Sequence, residues 1–169
     1  FYFDMTDDAD IENFGLNWSG YVDYYDAWAI DPINVFSNLA LTEKHGLTSS
    51  YINDRVKLDP MNRSNFLGIQ GQLWTETAIN EHILDELLLP NLIVFAERAW
   101  ASSPKWHKLT DLKKQKEISL KDWNIFSNSL GQRLLPLISY RYPSITYHLP
   151  KPGVKLIDGN WHVRSYFPG

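Results

Sequence analysis

Leu67-Gly68-Ile69-Gln70-Gly71-Gln72-Leu73-Trp74-Thr75-Glu76-Thr77 reads as a short strand that ends in a polar, aromatic tip and runs into a helix. Period-2 alternation sends Leu67, Ile69 and Leu73 to one face, and Gly68, Gln70, Gln72 and Trp74 to the other. The apolar face should pack against helices. A face of glycines, glutamines and one indole is a poor hydrophobic layer, but it suits the inside of a barrel near a polar site. If strand geometry holds that far, Trp74 and Glu76 share a face. An indole plate covers sugar C–H groups and a carboxylate accepts hydroxyl hydrogen bonds, so the pair fits a sugar. A core tryptophan followed by a glutamate in a first helical turn fits the same residues, and on these alone it is the plainer reading.

The start of the chain repeats the arrangement. In Phe1-Tyr2-Phe3-Asp4-Met5, Tyr2 and Asp4 fall on one face, and a polar stretch, Thr6-Asp7-Asp8-Ala9-Asp10, follows. Two strands that each deliver polar groups to their C-terminal ends are the pattern from which (β/α) barrels build sites.

Composition narrows the rest. The 169 residues are 44% hydrophobic and 14% aromatic, with seven Trp, nine Tyr and eight Phe. That is enough for one globular domain. A net charge of −4 without basic clusters argues against nucleic acid or an anionic membrane as partner. No apolar run approaches the length that spans a bilayer. With no cysteine there is no disulfide, thiol nucleophile or zinc–thiolate site. The five histidines are scattered, so no metal and no cofactor is expected. Asp7, Asp8, Asp10 and Glu12 read as a solvated acidic turn, because a calcium loop would need a sharp-turn glycine there. The opening inside an apparent strand, and an equally abrupt end, lead us to expect a piece of a longer protein.

Gly15 and Gly20 bracket Trp18 in a loop over residues 7–36, which suits an exposed aromatic that lines a site or one that plugs an apolar gap. Tyr24-Tyr25-Asp26-Ala27-Trp28 starts a short helix, and Asp31-Pro32 a turn. Residues 37–56 are weakly periodic, with Gly46 as a breaker. After Asp59-Pro60 comes the central strand, then a helix from about Asn80 that Pro90 kinks or divides. Glu97-Arg98 near its end is of the kind that holds a helix in place. A further helix is expected to start at Ser119, with Asp122 in its capping box. Its core stripe is Trp123, Phe126, Leu130, Leu134 and Leu137, interrupted at Gly131 and Pro136. Leu149-Pro150-Lys151-Pro152-Gly153 is a linker, and 154–164 resembles the first hairpin of a separate β module.

Four features in order resemble glycoside hydrolase family 20, the β-N-acetylhexosaminidases, and the bacterial chitobiase type in particular. They are Tyr2-Phe3-Asp4, Trp18 sixteen residues after Tyr2, Gly71-Gln72-Leu73-Trp74-Thr75-Glu76, and Ala96-Glu97-Arg98-Ala99-Trp100. Leu130-Gly131-Gln132-Arg133 and the Pro-rich linker resemble that type's last barrel helix and its exit into a C-terminal β-sandwich. The resemblance implies an α/β fold, the C-terminal part of a (β/α)8 TIM barrel (about strands 7–8 and their helices). Residues 1–148 would be barrel, and residues 149–169 the linker and first hairpin of a β-sandwich-like module.

It also implies chemistry. In this family the acetamido oxygen of the substrate attacks the anomeric carbon, assisted by an Asp–Glu pair. By resemblance Tyr2 orients that oxygen, Trp18 and Trp74 line the pocket, Glu76 accepts hydrogen bonds from outer hydroxyls, and Asp4 supports the same rim. The partners would be an N-acetylhexosamine-containing oligosaccharide and the N-terminal part of the barrel, in a periplasmic or extracellular setting. The Asp–Glu pair belongs to a His/Asn-x-Gly-x-Asp-Glu pattern that this chain lacks. Asp85-Glu86 is its only adjacent pair in that order, and it falls mid-helix. The general acid is therefore expected elsewhere, and the alternative reading is a non-catalytic carbohydrate-binding or scaffold module.

Overall fold

Asp23 caps a short helix, α1 (Tyr24–Ala29), its carboxylate accepting the backbone N–H groups of Tyr25 and Asp26 at 2.7 and 3.2 Å. The computed structural model describes residues 1–6, 15–18, 20–38 and 49–167. The acidic set at 7–12 and Gly46 lie outside them. α1 is the hub of the core. Trp28, 5% exposed, has its ring centroid within 6.3 Å of those of Tyr25, Trp106, Trp123 and Phe126. Burying an indole of that size contributes about 4–6 kcal/mol of hydrophobic stabilisation, so this aromatic cluster outweighs any single hydrogen bond near it.

After α2 (Ser49–Asn53) and a 3-10 turn at Pro60–Asn65, Asn80 caps α3 (Glu81–Leu88). Pro90 divides the predicted helix, and α4 (Asn91–Trp100) follows. The next helix, α5 (Leu112–Ser129), begins seven residues before the expected start. Asp111 is its cap, accepting the N–H of Lys114 at 3.1 Å. Ser119 is instead a mid-helix residue, 1% exposed, with its hydroxyl 2.6 Å from that of Tyr25. The first half of α5 buries Gln115 and Ser119, with Ile118 half-buried beside them, so its core face carries a weak apolar signal.

Gly131 and Pro136 do not interrupt the helix. A π turn at Leu130–Leu134 carries it into α6 (Leu135–Arg141). The wider turn rotates the following residues, so Leu135 is buried (1% exposed) and Leu137 is not (42%). The hairpin forms as expected. β1 (Gly153–Ile157) pairs antiparallel with β2 (Asn160–Arg164) in the register Val154↔Val163 and Leu156↔Trp161. Asp158 and Gly159 take φ of 49° and 78° in the turn, the twist-matched hairpin type. Both faces of the hairpin are exposed, yet the chain beyond it returns to the helices. Tyr166 donates to Asp23 at 2.9 Å, and Phe167 packs where Gly131 leaves room.

The two extended segments of the sequence meet side by side. Phe3 N–H donates to Gln72 O at 2.8 Å and Gln72 N–H to Phe1 O at 2.7 Å, a parallel contact centred on Tyr2 and Gln72. On the other side Met5 bridges Leu16, also parallel. The expected strand over 67–77 is thus reduced to one bridge at Gln72. Leu67 is 96% exposed, since no described helix covers that end. Thr75, with φ of 64°, breaks the extended geometry between Trp74 and Glu76, so alternation cannot put those two on one face.

Candidate functional site

The parallel contact fixes Tyr2, and the segment that bridges Met5 at Leu16 carries Trp18 to it. Gly15 (φ 91°) and Gly20 (φ 105°) turn that loop at its two ends, as their spacing predicts. At Gly15 a side chain would also collide with the chain beside it: a Cβ would lie 3.0 Å from Asp4 O and 3.1 Å from Thr6 Cγ2. Leu16 N–H donates to Asp4 O at 2.8 Å. The result is an edge-to-face pair, Tyr2 and Trp18, with centroids 6.0 Å apart and planes at 81°. Tyr2 is half-buried and Trp18 is 67% exposed.

Trp74 (55% exposed) and Glu76 stand at the C-terminal end of the second segment, also open to solvent. Their separation is set by a turn rather than a strand. Thr75 is left-handed, and Ala78 N–H closes onto Thr75 O at 3.0 Å. A β-branched residue in that region is strained, at a cost of about 1–3 kcal/mol, and such strain collects at binding sites. The turn is tied to the other loop: Gly15 N–H donates to Thr77 Oγ1 at 3.0 Å.

Asp4 is not on the rim. It is 2% exposed, and among the described residues neither carboxylate oxygen has a hydrogen bond of good geometry. The backbone N–H groups of Asp4 and Trp74 face the carboxylate without reaching that geometry. Burial pushes its pKa up, Glu76 adds to the rise by repulsion, and the two backbone groups oppose it. Among the described residues the side-chain oxygens of Thr6 and Asn91 are likewise buried without a hydrogen-bond partner, so such polar groups gather where the first strand ends.

The arrangement offers two exposed indoles, a phenol and an outer carboxylate, with a buried carboxylate near the latter. It can hold a ligand that has both C–H faces and hydroxyls. Among the described residues no three of His, Asp and Glu are close enough to hold a metal ion, and no helix is long and apolar enough to cross a membrane. Asp85 does structural work, accepting Thr146 N–H at 3.3 Å. Sequence reasoning missed Gln72, which pairs the strands, and the Thr77–Gly15 tie. Thr77 is one residue past the motif, and only its hydroxyl two residues after a turn could have drawn notice.

Two further features are structural. Arg98, 6% exposed, donates to the carbonyls of Trp28, Ala101 and Ser102 at 3.3–3.5 Å, closing the end of α4 against α1. His107 Nε2 lies 3.0 Å from Ala29 O, so that nitrogen carries the proton, and bare Nδ1 stands 3.8 Å from Asp31. Burial lowers its pKa, against the pull of Ala29 O and Asp31, and Arg98 lowers it further. A groove of about 380 Å³, bordered by Trp28, Arg98, Asp122 and Phe126, opens on this outer helical side and includes none of Tyr2, Trp18 and Trp74.

Comparison with known proteins gives this geometry a context. The profile described as glycosyl hydrolase family 20, catalytic domain, matches residues 1–103. A β-hexosaminidase of Vibrio vulnificus is 30% identical across the whole chain, which covers 21% of that protein. The N,N'-diacetylchitobiase of Vibrio harveyi is 31% identical over 62% of the chain and 12% of its own length. A β-N-acetylhexosaminidase of Cellulomonas fimi is 24% identical over 78% of the chain and 19% of its own length. The chain thus spans about a fifth or less of these relatives. The matched region holds Tyr2, Asp4, Trp18, Trp74 and Glu76, and the chain belongs to glycosyl hydrolase family 20, whose catalytic domain is a TIM-barrel-like α/β fold.

Proposed function

We infer that this chain is part of an exo-acting β-N-acetylhexosaminidase, and that it supplies the walls of the sugar site rather than the general acid. The observation that carries the reading is the meeting of two segments distant in sequence. Tyr2 pairs in parallel with Gln72, two residues before Trp74, and its ring meets Trp18 edge to face at 6.0 Å. Residues 1–5 and 70–74 are then the seventh and eighth barrel strands, 1–148 the barrel segment, and 149–169 the linker and start of a β-sandwich-like unit. Phe167 against Gly131 anchors that unit to the barrel helices.

In a substrate-assisted retaining reaction the 2-acetamido oxygen must approach the anomeric carbon from one direction. The Tyr2 hydroxyl donates to that oxygen and restricts its rotation, which lowers the entropy cost of attack. Trp18 and Trp74 enclose the acetamide methyl and the sugar face. Glu76 accepts hydrogen bonds from the outer hydroxyls of the terminal sugar, and Asp4, buried behind it, supports the strand end from within. The substrate is a terminal N-acetylglucosamine or N-acetylgalactosamine on chitin oligosaccharides or glycans. The proton donor comes from the rest of the barrel.

The test is release of nitrophenol from a chromogenic N-acetyl-β-glucosaminide by the complete protein and by this chain alone. Turnover by the first and none by the second is expected. Turnover by this chain alone would refute the assignment of the proton donor. Silence in both with sugar binding retained would favour a non-catalytic carbohydrate-binding module.

A further inference from the structure

The site residues sit on two separate loops, and the described structure joins those loops through one side chain outside the sequence motif. Gly15 N–H donates to Thr77 Oγ1 at 3.0 Å, across 62 residues of sequence and in a partly buried setting. Gly15 lies three residues before Trp18, and Thr77 follows Glu76. Around this contact the geometry is unusually constrained. Gly15 has φ of 91°, and a Cβ on it would stand 3.0 Å from Asp4 O and 3.1 Å from Thr6 Cγ2, so the position is built for a glycine close against the first strand. Thr75 is held left-handed, so the turn that presents Glu76 is strained and relaxes unless something restrains it.

We propose that Thr77 is a positioning residue of the sugar site, its hydroxyl holding the Trp18 loop and the Glu76 turn at a fixed separation. The assignment rests on the function inferred above. The backbone of Tyr2 is held separately from the Trp18 loop, by the pairing of Phe1 and Phe3 with Gln72. Loosening the Thr77 tie therefore spreads the walls of the site while leaving the acetamide-orienting phenol in place. Interactions made equally with bound substrate and transition state appear in KM, not in kcat.

The experiment compares Thr77→Val, which keeps shape and removes the acceptor, with Thr77→Ser, which keeps the acceptor, in the complete protein. KM and kcat are measured on the chromogenic N-acetyl-β-glucosaminide, and hydrogen exchange of the Gly15 amide is followed in parallel. Thr77→Val is expected to raise KM about three- to tenfold with kcat changed less than twofold, and to speed Gly15 exchange. Thr77→Ser is expected to restore both. If Thr77→Val does not fold, Thr77→Ala removes the same acceptor. An active wild type whose KM is unmoved in the acceptor-free variant overturns the positioning role and leaves the functional reading intact. A complete protein without turnover overturns both, because there is then no site for Thr77 to position.

Discussion

Gly71→Ala tests the contact on which both the fold and the site depend. The backbone at Gly71 needs no glycine for its φ, so any cost comes from space alone. A Cβ there would stand 2.2 Å from Phe3 Cε2 and 2.6 Å from Cζ, against an ordinary contact of at least 3.4 Å. The Phe3 ring would have to retreat by about 1.2 Å, taken as the difference of those distances. It cannot do so freely. Phe3 is 6% exposed, with its centroid 5.7 Å from Phe1 and 5.6 Å from Phe95. If the ring swings away it loses aromatic pairs worth about 0.5–1.5 kcal/mol each. If the backbone yields instead, the two hydrogen bonds of Gln72 stretch, at a similar cost each. Either route gives about 1–3 kcal/mol, the usual penalty of overpacking, offset by about 0.4–1 kcal/mol from the smaller unfolded-state entropy of alanine.

The control is Gly153→Ala, where the nearest atom to the new Cβ is Arg164 O at 3.9 Å. Urea unfolding of the complete protein, followed by circular dichroism and tryptophan fluorescence, should show a lowered midpoint for the first variant and an equal or higher one for the second. Because Gln72 lies two residues before Trp74, kcat/KM should also fall in Gly71→Ala alone. Equal midpoints for the two variants would mean that Phe3 does not lie over Gly71, and the parallel pairing would fall with it.

Thr75→Asn, which tolerates the left-handed region, should raise stability by about 1 kcal/mol by thermal or urea unfolding; a lowered midpoint would show that Thr75 is not strained. Asp4→Asn should be more favourable to stability at pH 7 than at pH 4, because it removes a carboxylate whose charged form burial disfavours. The folded state holds the Asp4 proton to higher pH than the unfolded chain, so wild-type stability falls as pH rises above the ordinary 3.8. An effect of Asp4→Asn that is the same at both pH values would refute the raised pKa of Asp4. His107 behaves oppositely: its lowered pKa means the unfolded chain takes up a proton first as pH drops below 6.5, so wild-type stability falls there. Unfolding midpoints from pH 7.5 to 5 should fall more for wild type than for His107→Gln; parallel curves would refute a buried neutral His107.

What the sequence made legible was what depends on local chemistry and spacing. Pro90 divides its helix because it lacks an N–H, Asp158-Gly159 makes a hairpin turn, and Gly15 and Gly20 bracket an exposed Trp18. Each follows from a residue's own backbone preference. The start of α5 was not legible, because Gln115 and Ser119 are buried by polar contacts with Trp106 and Tyr25 that no periodicity records. Nor was the shift from Leu137 to Leu135, which needs the extra residue of the π turn.

The site divides along the same line. Tyr2, Trp18, Trp74 and Glu76 stand out by type, and each is at least partly open to solvent. What joins the segments that carry them is less conspicuous: a backbone bond at Gln72, a hydroxyl at Thr77, and a left-handed turn at a residue whose own preference opposes it. Thr75 marks the limit of strand reasoning here. Alternation put Trp74 and Glu76 on one face, whereas the reversal at φ 64° lets Glu76 leave the strand direction while Thr77 reaches Gly15. A β-branched residue keeps that conformation only if the contacts around it supply more than the strain costs. The described contacts that can do so are the Ala78 turn bond and the Thr77 tie. Replacing the Thr77 hydroxyl should therefore release strain at Thr75 as well as the Trp18 loop, so Thr75→Asn should stabilise less in a Thr77→Val background than in wild type.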